Sequence, residues 1–64
     1  MLKNNLREIR IKKGLSQLQL SYKSDIGPAV ISNIENGKVY AYPGWRKRIA
    51  AALNLPEEKI FESD

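Results

Sequence analysis

The chain has no cysteine and no histidine. Without cysteine there is neither a disulfide framework nor a thiolate metal site. Without histidine the commonest zinc ligand and the commonest general base are both missing. No metal, no cofactor and no enzymatic activity are therefore expected. Glu57 and Glu58 are adjacent but do not share a helical face, so they make a poor acid–base pair. No glycine-rich phosphate loop and no nucleophile–base pair are present. Apolar runs are short, none approaching a membrane span, and "MLKNNLREIR" carries charges where a signal peptide needs an apolar core. A cytoplasmic, nucleoid-associated protein with no membrane partner is the expectation. Strand-like alternation, internal repeats and low-complexity stretches are absent as well.

What is present is one small domain, residues 1–64, near the lower size at which a core holds without staples. The net charge is +4, unevenly spread. Lys3, Arg7, Arg10, Lys12, Lys13 and Lys23 oppose only Glu8 in the first third, and Arg46, Lys47 and Arg48 add a second basic cluster. The tail is acidic, with Glu57, Glu58, Glu62 and Asp64 against Lys59. A basic body suits a polyanion approached from one side, although a solvated surface explains charge alone more simply.

Periodicity and caps predict five helices. Leu2, Leu6 and Ile9 give an amphipathic helix over 2–13, ended by Gly14. Ser16 is a good N-cap for a second helix, Gln17 to Ser24, with Leu20 inward. After a break at Asp25-Ile26-Gly27, Pro28 opens a third, since its missing N–H would be unpaired there and its φ is already helical. Ile31 and Ile34 form its buried stripe and Gly37 its stop. Trp45 to Leu53 is the fourth helix, with Ile49, Ala50 and Leu53 inward. Pro56 opens a short fifth through Phe61, whose Glu57 and Glu58 lie toward the positive end of the helix dipole. The predicted fold class is a compact all-α bundle of five helices.

Two short helices joined by a tight turn and flanked by basic residues are the unit that sets one helix in a DNA groove. In "LREIRIKKGLSQLQLSYKSDIGPAVISNIENGK" the elements "GLSQ" and "ISNIENGK", with Leu6, Arg10, Leu20, Ser21 and Ile26, and "IAAALNL" further on, occur in one order and spacing. In these the chain resembles the Cro and phage-repressor helix-turn-helix family, which includes many small bacterial regulators. The resemblance covers nearly the whole chain. It implies a lambda-repressor-like DNA-binding domain with the helix-turn-helix at helices 2–3. Two positions depart from the family: Ser21 stands where alanine is usual, and Asp25 where glycine is. Serine is still small enough for close helix approach, whereas aspartate enters a positive-φ turn only at some cost.

The resemblance also implies roles. Arg10 and Glu35 form a partly buried structural ion pair, with direct DNA contact by Arg10 the alternative. Gln17 grips a DNA phosphate at the start of helix 2, Asn36 and Lys38 form a second clamp, and the helix-4 start near Trp45 and Arg46 a third. Tyr40 and Tyr42 either donate hydroxyls to the backbone or pack as a lid over their loop; Trp45 is more often a core or cap residue than a ligand. Base readout falls to Gly27, Pro28, Ala29, Ser32 and Asn33. Asn33 can pair bidentately with adenine, while Pro28 and Ala29 offer apolar surface to thymine methyls.

The expected function is sequence-specific transcriptional regulation, as a repressor. Helix 3 (about residues 28–36) would read the major groove of double-stranded DNA, with a homodimer on a palindromic operator. Leu55, Ile60 and Phe61 are the candidate dimer interface, and Leu18 is a spare apolar residue. No small-molecule effector is evident. An antitoxin-type autoregulator, or a protein-interaction module on the same fold, are the alternatives.

Overall fold

The computed structural model describes residues 4–61. Five helices follow in order: α1 (Leu6–Lys12), α2 (Gln17–Ser24), α3 (Pro28–Glu35), α4 (Pro43–Leu53) and α5 (Glu57–Ile60). Among the described residues there is no strand.

Three helix starts differ from the expected ones: α5 begins one residue late, at Glu57, with Pro56 in extended conformation as its N-cap, and the other two differ for local reasons. Within the described residues α1 begins at Leu6, because Asn4 turns the chain just before it. The Asn4 Oδ1 accepts from the Leu6 N–H at 3.0 Å, an Asx-type turn that competes with helix. Its Nδ2 donates to the Ile34 carbonyl at 2.8 Å, tying this turn to the end of α3. Leu2 lies outside the described residues. Helix α4 begins at Pro43, two residues before the expected Trp45, with proline at the first helical position as in α3.

Helix α2 is fixed by a full capping box. The Ser16 Oγ accepts from the Gln19 N–H at 3.0 Å, and the Gln19 Oε1 accepts from the Ser16 N–H at 2.8 Å. Its C-terminal cap is Asp25, at φ 57°, so the aspartate does occupy the left-handed position. Ser21 and Ser24 are buried, and their hydroxyls find partners on the chain itself. Ser21 donates to the Ile26 carbonyl at 2.5 Å and Ser24 to the Leu20 carbonyl at 2.7 Å. The first bond clasps the turn to the helix preceding it, a role alanine could not fill.

The core is continuous. Leu6 of α1, Leu20 of α2, Ile31 and Ile34 of α3, Ile49 and Leu53 of α4, and Ile60 of α5 are all fully buried, with Ile26 and Phe61 nearly so. Asn5 connects the two ends of the chain, its N–H donating to the Ile60 carbonyl at 2.8 Å. Burial of α5 corrects one expectation. Ile60 and Phe61 were candidate dimer contacts, but both are consumed by the monomer's own core, because a domain this small must use its last helix to close itself. Leu55, the third candidate, is half-buried against the same core.

Candidate nucleic-acid interface

Helix α3 presents two faces. Ile31 and Ile34 point into the core, and the opposite face carries Pro28, Ala29, Ser32, Asn33 and, past the end, Asn36. Gly27, Pro28 and Ala29 are exposed, and Ser32 and Asn33 are half-buried. A Cβ built on Gly27 would meet nothing within 4 Å, so the start of the helix is open on that side. The first turn is therefore a bare, weakly polar surface on which the Ala29 N–H alone lacks a helical acceptor, Pro28 having none to offer. The Asn33 side chain makes no hydrogen bond among the described residues and is available to an outside partner.

At the start of α2 the capping box satisfies the Gln19 amide, and the first helical backbone bond runs from Leu20 to Ser16. The Gln17 and Leu18 amides are left without a backbone partner. Above them sits the Gln17 side chain, half-buried, its Nε2 donating to the Glu35 Oε1 at 3.0 Å. Glu35 is in turn held by Arg10. The Arg10 Nε donates to Oε2 at 2.5 Å and Nη2 to Oε1 at 3.3 Å, while Nη1 donates to the Leu15 carbonyl at 2.7 Å. The side chains are 10% and 1% exposed respectively. One carboxylate thus joins α1, the start of α2 and the end of α3. No buried side-chain polar atom among the described residues lacks a partner.

The loop between α3 and α4 carries the remaining expected contact residues. Gly37, at φ 70°, follows the C-terminal cap Asn36, and the Lys38 N–H donates to the Asn33 carbonyl at 2.9 Å. Asn36 and Lys38 are exposed. Tyr40 and Tyr42 are also exposed, meeting edge to face with ring centroids 5.6 Å apart, and Tyr42 meets the half-buried Trp45 in the same way at 5.3 Å. The tyrosines are less a lid than a small aromatic ridge. At α4 the first backbone bond runs from Arg46 to Tyr42, leaving the amides of Gly44 and Trp45 free. Arg46 is largely occupied: its Nε donates to the Ala41 carbonyl at 2.7 Å, and its guanidinium lies 4.8 Å from the Tyr40 ring centre and 5.4 Å from that of Phe61.

Two contacts were not legible in the sequence. Arg48 reaches from α4 to the Asp25 carbonyl at 3.3 Å, supporting the turn from a distant helix. Gln17 bonding to Glu35 is the other; nothing in their spacing announces it. Leu18 and Tyr22, one turn apart on the outer side of α2, are both exposed. Among the described residues no cluster of acidic, cysteine or histidine side chains could hold a metal ion.

Comparison with known proteins agrees with this geometry. The family described as a helix-turn-helix domain matches residues 4–63. The chain is 42% identical over 57 residues to an uncharacterized HTH-type transcriptional regulator, RghRB, of Bacillus subtilis (strain 168), a match covering 88% of this chain and 41% of that protein. It therefore spans less than half the length of that relative. In three dimensions it resembles the restriction-modification controller protein C.AhdI from Aeromonas hydrophila, with a TM-score of 0.83 and 29% identity, covering 86% of this chain and 83% of that one. Matched over nearly its whole length, the chain belongs to the helix-turn-helix domain family, in the Cro and phage-repressor group.

Proposed function

We propose that this domain is a cytoplasmic, sequence-specific transcriptional repressor that docks α3 in the major groove as a homodimer on a palindromic operator. The observation that carries the reading is the exposed face of α3, unobstructed at Gly27, Pro28 and Ala29. The free amides opening α2 and α4 flank it, two positions suited to phosphate oxygens. Gln17 serves the first of these, with Asn36, Lys38 and the tyrosine hydroxyls of the ridge along the loop. Trp45 shapes the clamp at the start of α4, and Arg46 contributes by holding the loop rather than by reaching out. Arg7, Lys12, Lys13 and Lys23, all exposed, add long-range attraction.

Base recognition is economical. With no side-chain donor or acceptor on Gly27, Pro28 or Ala29, the first turn reads thymine methyls by contact; Asn33 pairs with adenine, and Ser32 bonds a neighbouring base or phosphate. Half-sites rich in A·T follow, with groove shape contributing at positions not touched. One such face reads too few base pairs to stand out in a genome, so two copies on half-sites about one turn apart are required. Their contact lies outside Ile60 and Phe61. Leu18 and Tyr22 favour a second reading, an antitoxin-type autoregulator or interaction module that covers this apolar pair with a protein partner. The likeness to a restriction-modification controller adds a comparable control circuit as a setting.

Selection from a random duplex pool tests the reading. It should return symmetric A·T-rich half-sites, with affinity falling steeply between about 50 and about 200 mM salt. G·C-rich sites, or no retained duplex at low salt, would overturn it.

A further inference from the structure

We infer that Glu35 is a positioning residue for phosphate capture, setting the polarity of the Gln17 carboxamide; this rests on the DNA-binding reading above. An ionised carboxylate only accepts hydrogen bonds, so an amide facing it must do so with its N–H. The Gln17 Nε2 does face the Glu35 Oε1, at 3.0 Å, and the carboxylate cannot swing away because it is 1% exposed and gripped by two nitrogens of Arg10. One hydrogen of Nε2 is thereby engaged and the amide is held against flipping. Its second N–H remains for a phosphate oxygen beside the free backbone amides of Gln17 and Leu18. Unheld, the amide presents its carbonyl oxygen about as often as its N–H before the anion arrives and also samples other side-chain rotamers, so capture must first orient it.

The arrangement places the positioning charge on the reading helix itself. Glu35 is the last residue of α3, and Gln17 the first of α2. A phosphate captured at Gln17 is thus registered to α3 through one carboxylate, whose own negative charge is neutralised by Arg10. Pro28 and Ala29, at the other end of α3, have no polar side-chain atom with which to orient the glutamine, which leaves Glu35 as its partner among the described residues.

Four proteins test this: wild type, Gln17→Ala, Arg10→Met with Glu35→Leu, and all three changes together. Replacing the ion pair as a unit preserves both fold and net charge, with urea unfolding as the check on fold. On one duplex in low salt, Gln17→Ala should lose about tenfold in affinity, the scale of a hydrogen bond to a charged group. The paired replacement should lose several-fold in the wild-type background and nothing further in the Gln17→Ala background. An undiminished loss in that background, as direct DNA contact by Arg10 would give, overturns the inference, as does no loss in either. A second measurement needs no variant and no DNA. In the free wild-type protein the Gln17 side-chain amide should exchange its hydrogens at least several-fold more slowly than that of Gln19, whose bond in the capping box uses its oxygen and leaves its NH2 free. Equal rates overturn the inference. If wild type holds no duplex at all, the DNA-binding reading fails, and the exchange measurement still decides the Gln17–Glu35 bond separately.

Discussion

Arg10→Met should be the most damaging single change available on the polar side of this domain. Arg10 is buried and makes three hydrogen bonds, two to Glu35 and one to the Leu15 carbonyl. Methionine keeps the aliphatic stem and removes all three donors. What remains is a carboxylate 1% exposed, with only the neutral Gln17 amide to support it. Breaking a buried pair from one side costs roughly 3–5 kcal/mol, because the surviving charge is neither solvated nor paired. A chain of 64 residues has a total stability of roughly 3–10 kcal/mol at about 0.05–0.15 kcal/mol per residue, so the change should consume a large share of it. Urea unfolding followed by circular dichroism would show the midpoint falling with little change in slope, or an already unfolded chain. Adding Glu35→Leu should restore most of the loss, since an apolar replacement of both partners leaves no charge behind. A loss below about 1 kcal/mol for Arg10→Met, the range of an exposed pair, would refute the account. So would a double variant no better than the single one.

Other outcomes follow from named contacts. Ser16→Ala removes the accepting half of the capping box and should cost about 1 kcal/mol in urea unfolding. Asp25→Gly relieves a left-handed aspartate at φ 57° and should raise stability by about 0.5–1 kcal/mol; a loss of that size would mean the aspartate side chain compensates locally. Ile60→Ala should cost about 2–5 kcal/mol independently of protein concentration, as a core residue does; a concentration-dependent midpoint would return Ile60 to a dimer interface. Asn33→Ala should cost about 1–3 kcal/mol on the selected duplex and relax preference at one base pair, with unfolding unchanged.

The sequence by itself determined the helical elements and their caps, because these are local physics. The Ser16 cap, proline as the first residue of α3, the positive-φ position at Asp25 and the glycine stops at Gly14 and Gly37 each depend on the few residues around them. The spacing of "GLSQ" and "ISNIENGK" carried the family for the same reason, since a tight helical turn leaves little freedom in what surrounds it. Pro43 was as legible as Pro28, and the same rule applied to it would have started α4 two residues earlier. Tertiary structure alone decided how long-range surfaces are shared. Ile60 and Phe61 read as candidate dimer contacts, yet the core claims them, because whether an apolar side chain faces inward or outward depends on where the chain returns. Arg46, expected beside the helix-4 phosphate clamp, also donates its Nε across its loop to the Ala41 carbonyl, a contact its position in the sequence does not announce. Gln17 and Glu35, eighteen residues apart, meet only because α1, α2 and α3 converge on one buried charge, and no period or motif encodes a convergence of three helices.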